Sequence, residues 1–138
     1  MKVKVYLSGP LFSWAEIEYG SRIKTCILEE LGDRIEVIWP HEIATGTLRE
    51  IFQSNVKALD ECKIMVAILD GPQVDDGTAW EVGYHYARGG KIVGIRTDFR
   101  KAGEAGSSKV NAMVEGSCMD IVSSLDLLVS KLKEILDS

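Results

Sequence analysis

Lys63-Ile64-Met65-Val66-Ala67-Ile68-Leu69, closed by Asp70-Gly71-Pro72, is the stretch that decides the fold. Its apolar residues do not alternate with polar ones, as expected of a strand covered by helices on both faces, and the Asp-Gly-Pro cluster breaks it sharply. Toward the amino terminus, Val3 to Ser8 places Val3, Val5 and Leu7 among β-formers and stops at Gly9-Pro10. Ser13 to about Leu31 carries Ile17, Ile23, Ile27, Leu28 and Leu31 at mixed three- and four-residue steps, with Gly32 just beyond, and predicts a helix. A short apolar run, Ile35 to Trp39, ends at Pro40. Thr47 to Glu61 then shows Leu48, Ile51, Phe52, Val56 and Leu59 at helical spacing.

After the central run the alternation continues. Thr78 to Arg88 predicts a helix, Gly89-Gly90 a break, and Lys91 to Arg96 another strand. Residues 97 to 108, with Gly103, Gly106, Ser107 and Ser108 among charges, read as a mobile loop. Leu125, Leu128, Val129, Leu132, Ile135 and Leu136 form the apolar stripe of a final helix that covers the sheet. This order specifies an α/β fold, a single-domain doubly wound parallel sheet of about five strands, flavodoxin- or Rossmann-like, over residues 1–138. Ligands of such sheets bind beyond the carboxyl ends of the strands. The loops after Leu7, Trp39, Leu69 and Arg96 are therefore where chemistry is expected.

Composition narrows the partners. Hydrophobic residues make up 46% and charged residues 27% of the 138 residues, a soluble globular balance with one core. No apolar run is long enough to cross a bilayer and no cleavable leader is visible, so cytoplasmic residence and no membrane partner are expected. A formal charge of -5 and pI near 5.1 disfavour a nucleic-acid polymer and favour a small molecule. Cys26, Cys62 and Cys118 follow no disulfide or zinc spacing and read as reduced packing residues. No metal-ligand spacing, dinucleotide fingerprint, Walker motif or nucleophile elbow occurs, and no cofactor is expected.

What the loops do hold is carboxylate. Asp70-Gly-Pro-Gln-Val-Asp75-Asp76-Gly77-Thr78-Ala-Trp-Glu81-Val-Gly83 combines a strand end, an acidic loop and a helix start. With Glu81 in the first helical turn, the dipole would favour its ionised, nucleophilic form, and Asp75 or Asp76 would face the sugar or assist proton movement. Thr78-Ala-Trp-Glu81 is equally a capping box, in which Glu81 would bond only the backbone of Thr78. Both readings stand at this level. His41 and His85 show no partner and read as structural or exposed.

Three motifs in order, Tyr6-Leu-Ser-Gly9-Pro-Leu-Phe12, Asp75-Asp-Gly77-Thr-Ala-Trp-Glu81-Val-Gly83-Tyr84 and Asn111-Ala-Met113, resemble the nucleoside 2-deoxyribosyltransferase family from Val3 to about Met113. The resemblance implies that Glu81 attacks the anomeric carbon and forms a covalent deoxyribosyl-enzyme. It further implies that Tyr6 holds Glu81, that Gly9 lets the backbone approach the substrate, and that Asp75 contacts the sugar and its 5′ end. Ser8, Phe12, Asp76, Gly77 and Met113 join the substrate-binding set on the same motifs. Asn111 would reach the 5′-hydroxyl of a neighbouring subunit's substrate, implying a homodimer or higher assembly with shared sites. Asn55 stands where many members carry an aspartate near the base, and the C-terminal Lys133-Glu-Ile-Leu-Asp-Ser138 lacks the aromatic residue that some insert into a neighbour's site.

The expected reaction is cleavage of the N-glycosidic bond of a 2′-deoxynucleoside, with transfer of the sugar to another purine or pyrimidine base. Hydrolysis of a nucleoside or nucleoside 5′-monophosphate is the alternative, since a hydrolytic relative carries serine at the position of Asp75. A non-catalytic nucleotide-binding domain is the third. A carboxylate at position 75 accepts a hydrogen bond from a 5′-hydroxyl but repels a 5′-phosphate, which favours the nucleoside. Ser8, Arg100, Ser107, Ser108 and Lys109 are the residues from which a phosphate site could instead be built.

Overall fold

The computed structural model describes all 138 residues. Five parallel strands, β1 (Val3–Ser8), β2 (Ile35–Ile38), β3 (Ile64–Ile68), β4 (Lys91–Ile95) and β5 (Asp120–Val122), lie in the order β2-β1-β3-β4-β5. Six helices fill the connections: α1 (Trp14–Leu31), α2 (Pro40–Ile43), α3 (Leu48–Glu61), α4 (Asp76–Ala87), α5 (Ala112–Ser117) and α6 (Leu125–Asp137). β3 is buried at every position, as its unbroken apolar run requires.

Two cores sit on opposite faces of the sheet. Val5 and Leu7 of β1 and Val66 and Ile68 of β3 pack against Ile23 and Ile27 of α1 and Leu128 and Leu132 of α6. Tyr6, Met65 and Ala67 face the other way, against Leu59 of α3 and Val82 of α4. The period-2 alternation of strand side chains thus sends Tyr6 and, two residues on, Ser8 toward the α4 side. β1 and β3 are neighbours whose following chains leave to opposite faces. The switch point of the sheet falls between them.

Helix starts follow local chemistry. Ser13 caps α1 by accepting from the Glu16 N–H at 3.2 Å, Thr47 and Glu50 make a reciprocal capping box on α3, and Ser124 caps α6. Pro40 ends β2's run and opens the short α2 at its first position. Gly20 of α1 is fixed by packing, since a Cβ there would lie 2.7 Å from Cζ2 of Trp39. Trp39 is accordingly core, whereas Trp14 is exposed.

One expectation changes. The helix after the acidic loop begins at Asp76 rather than Thr78, because Asp75 is the N-cap and accepts from the Thr78 N–H at 2.9 Å. The segment 97–108 is a loop, as expected, and carries internal ties: Ser108 and Ala105 are joined by two hydrogen bonds, and Arg100 forks onto Asp98. Of its two readings, structural or exposed, His85 takes the structural one: it is buried beneath Gly90, with Nε2 3.3 Å from the Lys63 carbonyl. Cys62 is buried too, which pushes its thiol up to about 12.

Candidate active site

Glu81 lies one and a half turns into α4, not in its first turn, and its side chain does not return to Thr78. The capping-box reading fails because Asp75 already occupies the cap three residues earlier. Instead the Glu81 carboxylate crosses to β1, where the Tyr6 hydroxyl donates to Oε2 and the Ser8 hydroxyl donates to Oε1 at 2.6 Å. Both partners are fully buried. Burial raises the Glu81 pKa above the ordinary carboxylate value, the two hydroxyls oppose that shift, and the charge of Asp75 adds to it. Burial, followed by the negative charge beside it, pushes the Tyr6 hydroxyl far up, so it stays a donor.

The carboxylate opens onto a cavity of about 360 Å³ lined by Gly9, Phe12, Asn55, Asp75, Gly77 and Trp80, with Leu48, Ile51, Phe52 and Val56 of α3 as an apolar wall. Its size and its few polar groups suit a small, partly aromatic ligand. Trp80 stacks on Tyr84 with ring centroids 5.2 Å apart and meets Phe52 edge-on at 5.6 Å, holding one rim. Asn55 brings the carboxamide oxygen Oδ1, buried and without a hydrogen-bond partner. An unpaired acceptor in an apolar wall is costly unless a ligand donates to it. Gly9 lines the cavity, but what requires glycine is packing: a Cβ would lie 2.8 Å from Ile68 Cδ1 and 2.9 Å from its Cβ.

Not every residue of the expected set gathers here. Asp76 faces away from Glu81; with Asn111 and Met113 it lines a separate hollow of about 620 Å³ between α4 and α5. Helical geometry explains the split, because positions 76, 79 and 83 form one stripe of α4 while 77, 80 and 81 form the next. Asn111 caps α5 by accepting from the Met113 N–H at 2.8 Å. Arg100, Ser107, Ser108 and Lys109 surround a third hollow, and of the residues named for a phosphate site only Ser8 stands beside Glu81.

Sequence reading missed two features. The apolar residues of α3 were legible only as one helical face; of that helix only Ala58 and Leu59 are buried, and Leu48, Ile51, Phe52 and Val56 wall the cavity. Periodicity gives a face but not what fills it. Arg96 was also passed over as a strand end; it is buried, and its guanidinium donates to the carbonyls of Leu69 and Gly71. It therefore fixes the start of the segment that leads to Asp75. A further cleft of about 450 Å³ lies at the opposite, amino-terminal edge of the sheet, and its one carboxylate, Asp60, is engaged by Arg88 and Tyr84.

The molecule is thus a doubly wound α/β protein with a buried carboxylate facing a cavity at the switch point of its sheet. Residues 5–116 match the model of the family described as nucleoside 2-deoxyribosyltransferase. The chain belongs to that family. A Ureaplasma parvum protein of uncharacterised function is 31% identical over 155 residues, covering 97% of each chain. Among solved structures, the 2-desoxiribosyltransferase from Leishmania mexicana superposes with TM-score 0.78 at 21% identity, over 96% of this chain and 97% of its own. The CMP N-glycosidase BcmB from Clostridium botulinum gives TM-score 0.60 at 20% identity, over 96% and 98%. These two likenesses establish the shared fold. No helix is long and apolar enough to cross a membrane.

Proposed function

We propose that the protein cleaves the N-glycosidic bond of 2′-deoxynucleosides and passes the deoxyribosyl group to another base. The observation that carries this reading is the Glu81 carboxylate, buried, gripped by Tyr6 and Ser8, and presented to a cavity of nucleoside size. One Glu81 oxygen attacks the anomeric carbon as the bond to the base nitrogen breaks, and the base leaves with that electron pair and takes up a proton. A nitrogen of the incoming base then attacks the same carbon, loses its proton, and releases Glu81 as carboxylate. Two opposing effects meet at one residue: burial raises the basicity of the attacking oxygen, and the two hydroxyl donors work against its protonation.

The Asn55 carboxamide has no titratable proton, so it serves the base by hydrogen bonding and the proton reaches the leaving nitrogen from elsewhere. Asp75 binds Thr78 through Oδ2 alone, which leaves Oδ1 to accept from a 5′-hydroxyl. A 5′-phosphate would meet like charge there. Because Asn111 and Met113 of the same chain lie at a different hollow, we assign them to a neighbour's cavity in a homodimer or larger assembly.

The deciding experiment is incubation with deoxynucleosides and their 5′-monophosphates, with and without a second base, followed by product separation. Exchanged nucleosides support transfer; free sugar regardless of acceptor means hydrolysis, and no product means a binding domain. Asp75→Ser keeps a good helix cap and should move the preference toward monophosphates. A wild type that already prefers monophosphates would overturn the role given to Asp75.

A further inference from the structure

Beyond the carboxyl ends of β4 and β5 lies a hollow of about 280 Å³ that shares no lining residue with the Glu81 cavity. Arg96, Arg100, Lys101 and Lys109 stand around it against one carboxylate, Asp98. That is a local excess of three positive charges in a chain of formal charge -5. Such an excess within one small concavity attracts anions strongly.

The charge there is poorly compensated from within. Arg96 has a side chain only 3% exposed, yet its partners are backbone carbonyls, those of Leu69, Gly71 and Arg100, with Asp98 no nearer than 4.0 Å. Its Nε is buried and finds no acceptor. Asp98 is committed elsewhere: Arg100 forks onto it through Nε at 2.9 Å and Nη2 at 2.5 Å, and those hydrogen bonds hold its carboxyl far below the usual range. Lys101 and Lys109 form no ion pair. Glu115, the acid nearest Lys109 in the hydrogen-bond network, accepts from the backbone N–H groups of Lys109 and Val110 rather than from the ammonium. A buried guanidinium with an unmet donor is stabilised by an anion brought close to it.

The loop that supplies the rest is already shaped. A Cβ on Gly103 would lie 2.1 Å from the Ser108 Cβ and 2.4 Å from the Val110 carbonyl, so the chain closes tightly on itself. Ser108 is locked to Ala105 by hydrogen bonds of 3.0 and 3.2 Å. Ser107 and Ser123 bring hydroxyls to the same walls.

We infer that this hollow is a second binding site, distinct from the Glu81 cavity, for the phosphate group of a small molecule. A compact tetrahedral dianion matches a cluster of ammonium, guanidinium and hydroxyl donors on a preshaped loop. Inorganic phosphate and a phosphate ester such as a pentose 5-phosphate share that chemistry.

The test is a two-dimensional amide NMR titration of the whole protein at constant ionic strength, with inorganic phosphate in one arm and 2-deoxyribose 5-phosphate in the other. Saturable shifts are expected in segments 96–101, 107–109 and 121–123, and equally in Glu81→Gln, which separates this site from the catalytic reading. Lys101 and Lys109 are exposed, so K101Q/K109Q leaves packing intact and should weaken binding about tenfold or more. The arm with the tighter binding identifies the source of the phosphate. Shifts that never saturate, that sodium chloride reproduces, that the double variant leaves unchanged, or that centre on residues 6–9 and 75–81 would each overturn the inference.

Discussion

The Ser8 hydroxyl on β1 reaches across 73 positions of sequence to Oε1 of Glu81 at 2.6 Å. Tyr6, two residues earlier on the same strand face, holds the other oxygen. A carboxylate clamped at both oxygens keeps one orientation toward the cavity while retaining a lone pair for attack. The pairing depends on two separate facts of the chain, the period of a strand and the phase of a helix, and it yields definite expectations.

Glu81→Gln should fold and lose at least about a thousandfold in turnover, the scale of losing a nucleophile. Its stability gives a second, independent reading. Glu81 has a folded pKa raised above its unfolded value, so its contribution to stability falls as pH rises from the ordinary carboxylate range through the raised folded value. The amide does not titrate. Its stability advantage over wild type should therefore grow across that pH window and shrink below it, measured by urea unfolding at several pH values. A gap independent of pH would mean that Glu81 titrates normally.

Tyr6→Phe removes one charge-assisted hydrogen bond, worth about 1.5–3 kcal/mol, and should lower kcat/KM about ten- to a hundredfold. Because the lost bond lowers the Glu81 pKa, the acid limb of the pH profile should also move to higher pH. Ser8→Ala should do the same from the other oxygen. Loss of rate with an unmoved limb would place the two hydroxyls on the substrate rather than on Glu81.

Gly9→Ala should cost about 1–3 kcal/mol of stability by overpacking, since its new Cβ meets Ile68. Ile68→Val removes the Cδ1 at 2.8 Å but keeps the Cβ at 2.9 Å, so combining the two should rescue only partly. Thermal unfolding of the four members of this cycle measures it. Full stability in Gly9→Ala would show that the turn can shift and would return the glycine to a substrate-contact role.

Mixing inactive Glu81→Gln chains with inactive Asn111→Ser chains should restore part of the activity if a neighbour's Asn111 completes the Glu81 cavity. Serine keeps the cap that Asn111 gives to α5, so a null result cannot be blamed on that helix. Absence of recovery after confirmed subunit exchange would mean that each chain is self-sufficient.

Much of the fold was legible because its signals are local. The apolar run of β3, the Ser13 and Thr47 caps and the stripe of α6 each depend on neighbours within a turn or two of chain. Four of the five strands could be named for that reason. β5 could not, because three residues carry no period, and its place at the sheet edge comes only from pairing with Val93, Gly94 and Ile95 of β4. The start of α4 was misread by two residues because Asp75 and Thr78 are both good caps, and which one acts depends on where the chain leaves β3.

Read as a string of residues, the chain already specifies the alternation of strand and helix, the acidic loop at a strand's carboxyl end, and three motifs whose order marks the family. These are matters of residue type and spacing, which need no knowledge of what lies across the sheet. What those residues face came from the packed fold. It decided between cap and clamped carboxylate for Glu81, made the α3 stripe a cavity wall, separated Asp76, Asn111 and Met113 from Glu81, and buried Arg96. Side-chain direction follows from helix phase and strand register, but a hydrogen bond between residues 73 positions apart exists only once the sheet has set β1 beside β3 and packed α4 over β3 and β4.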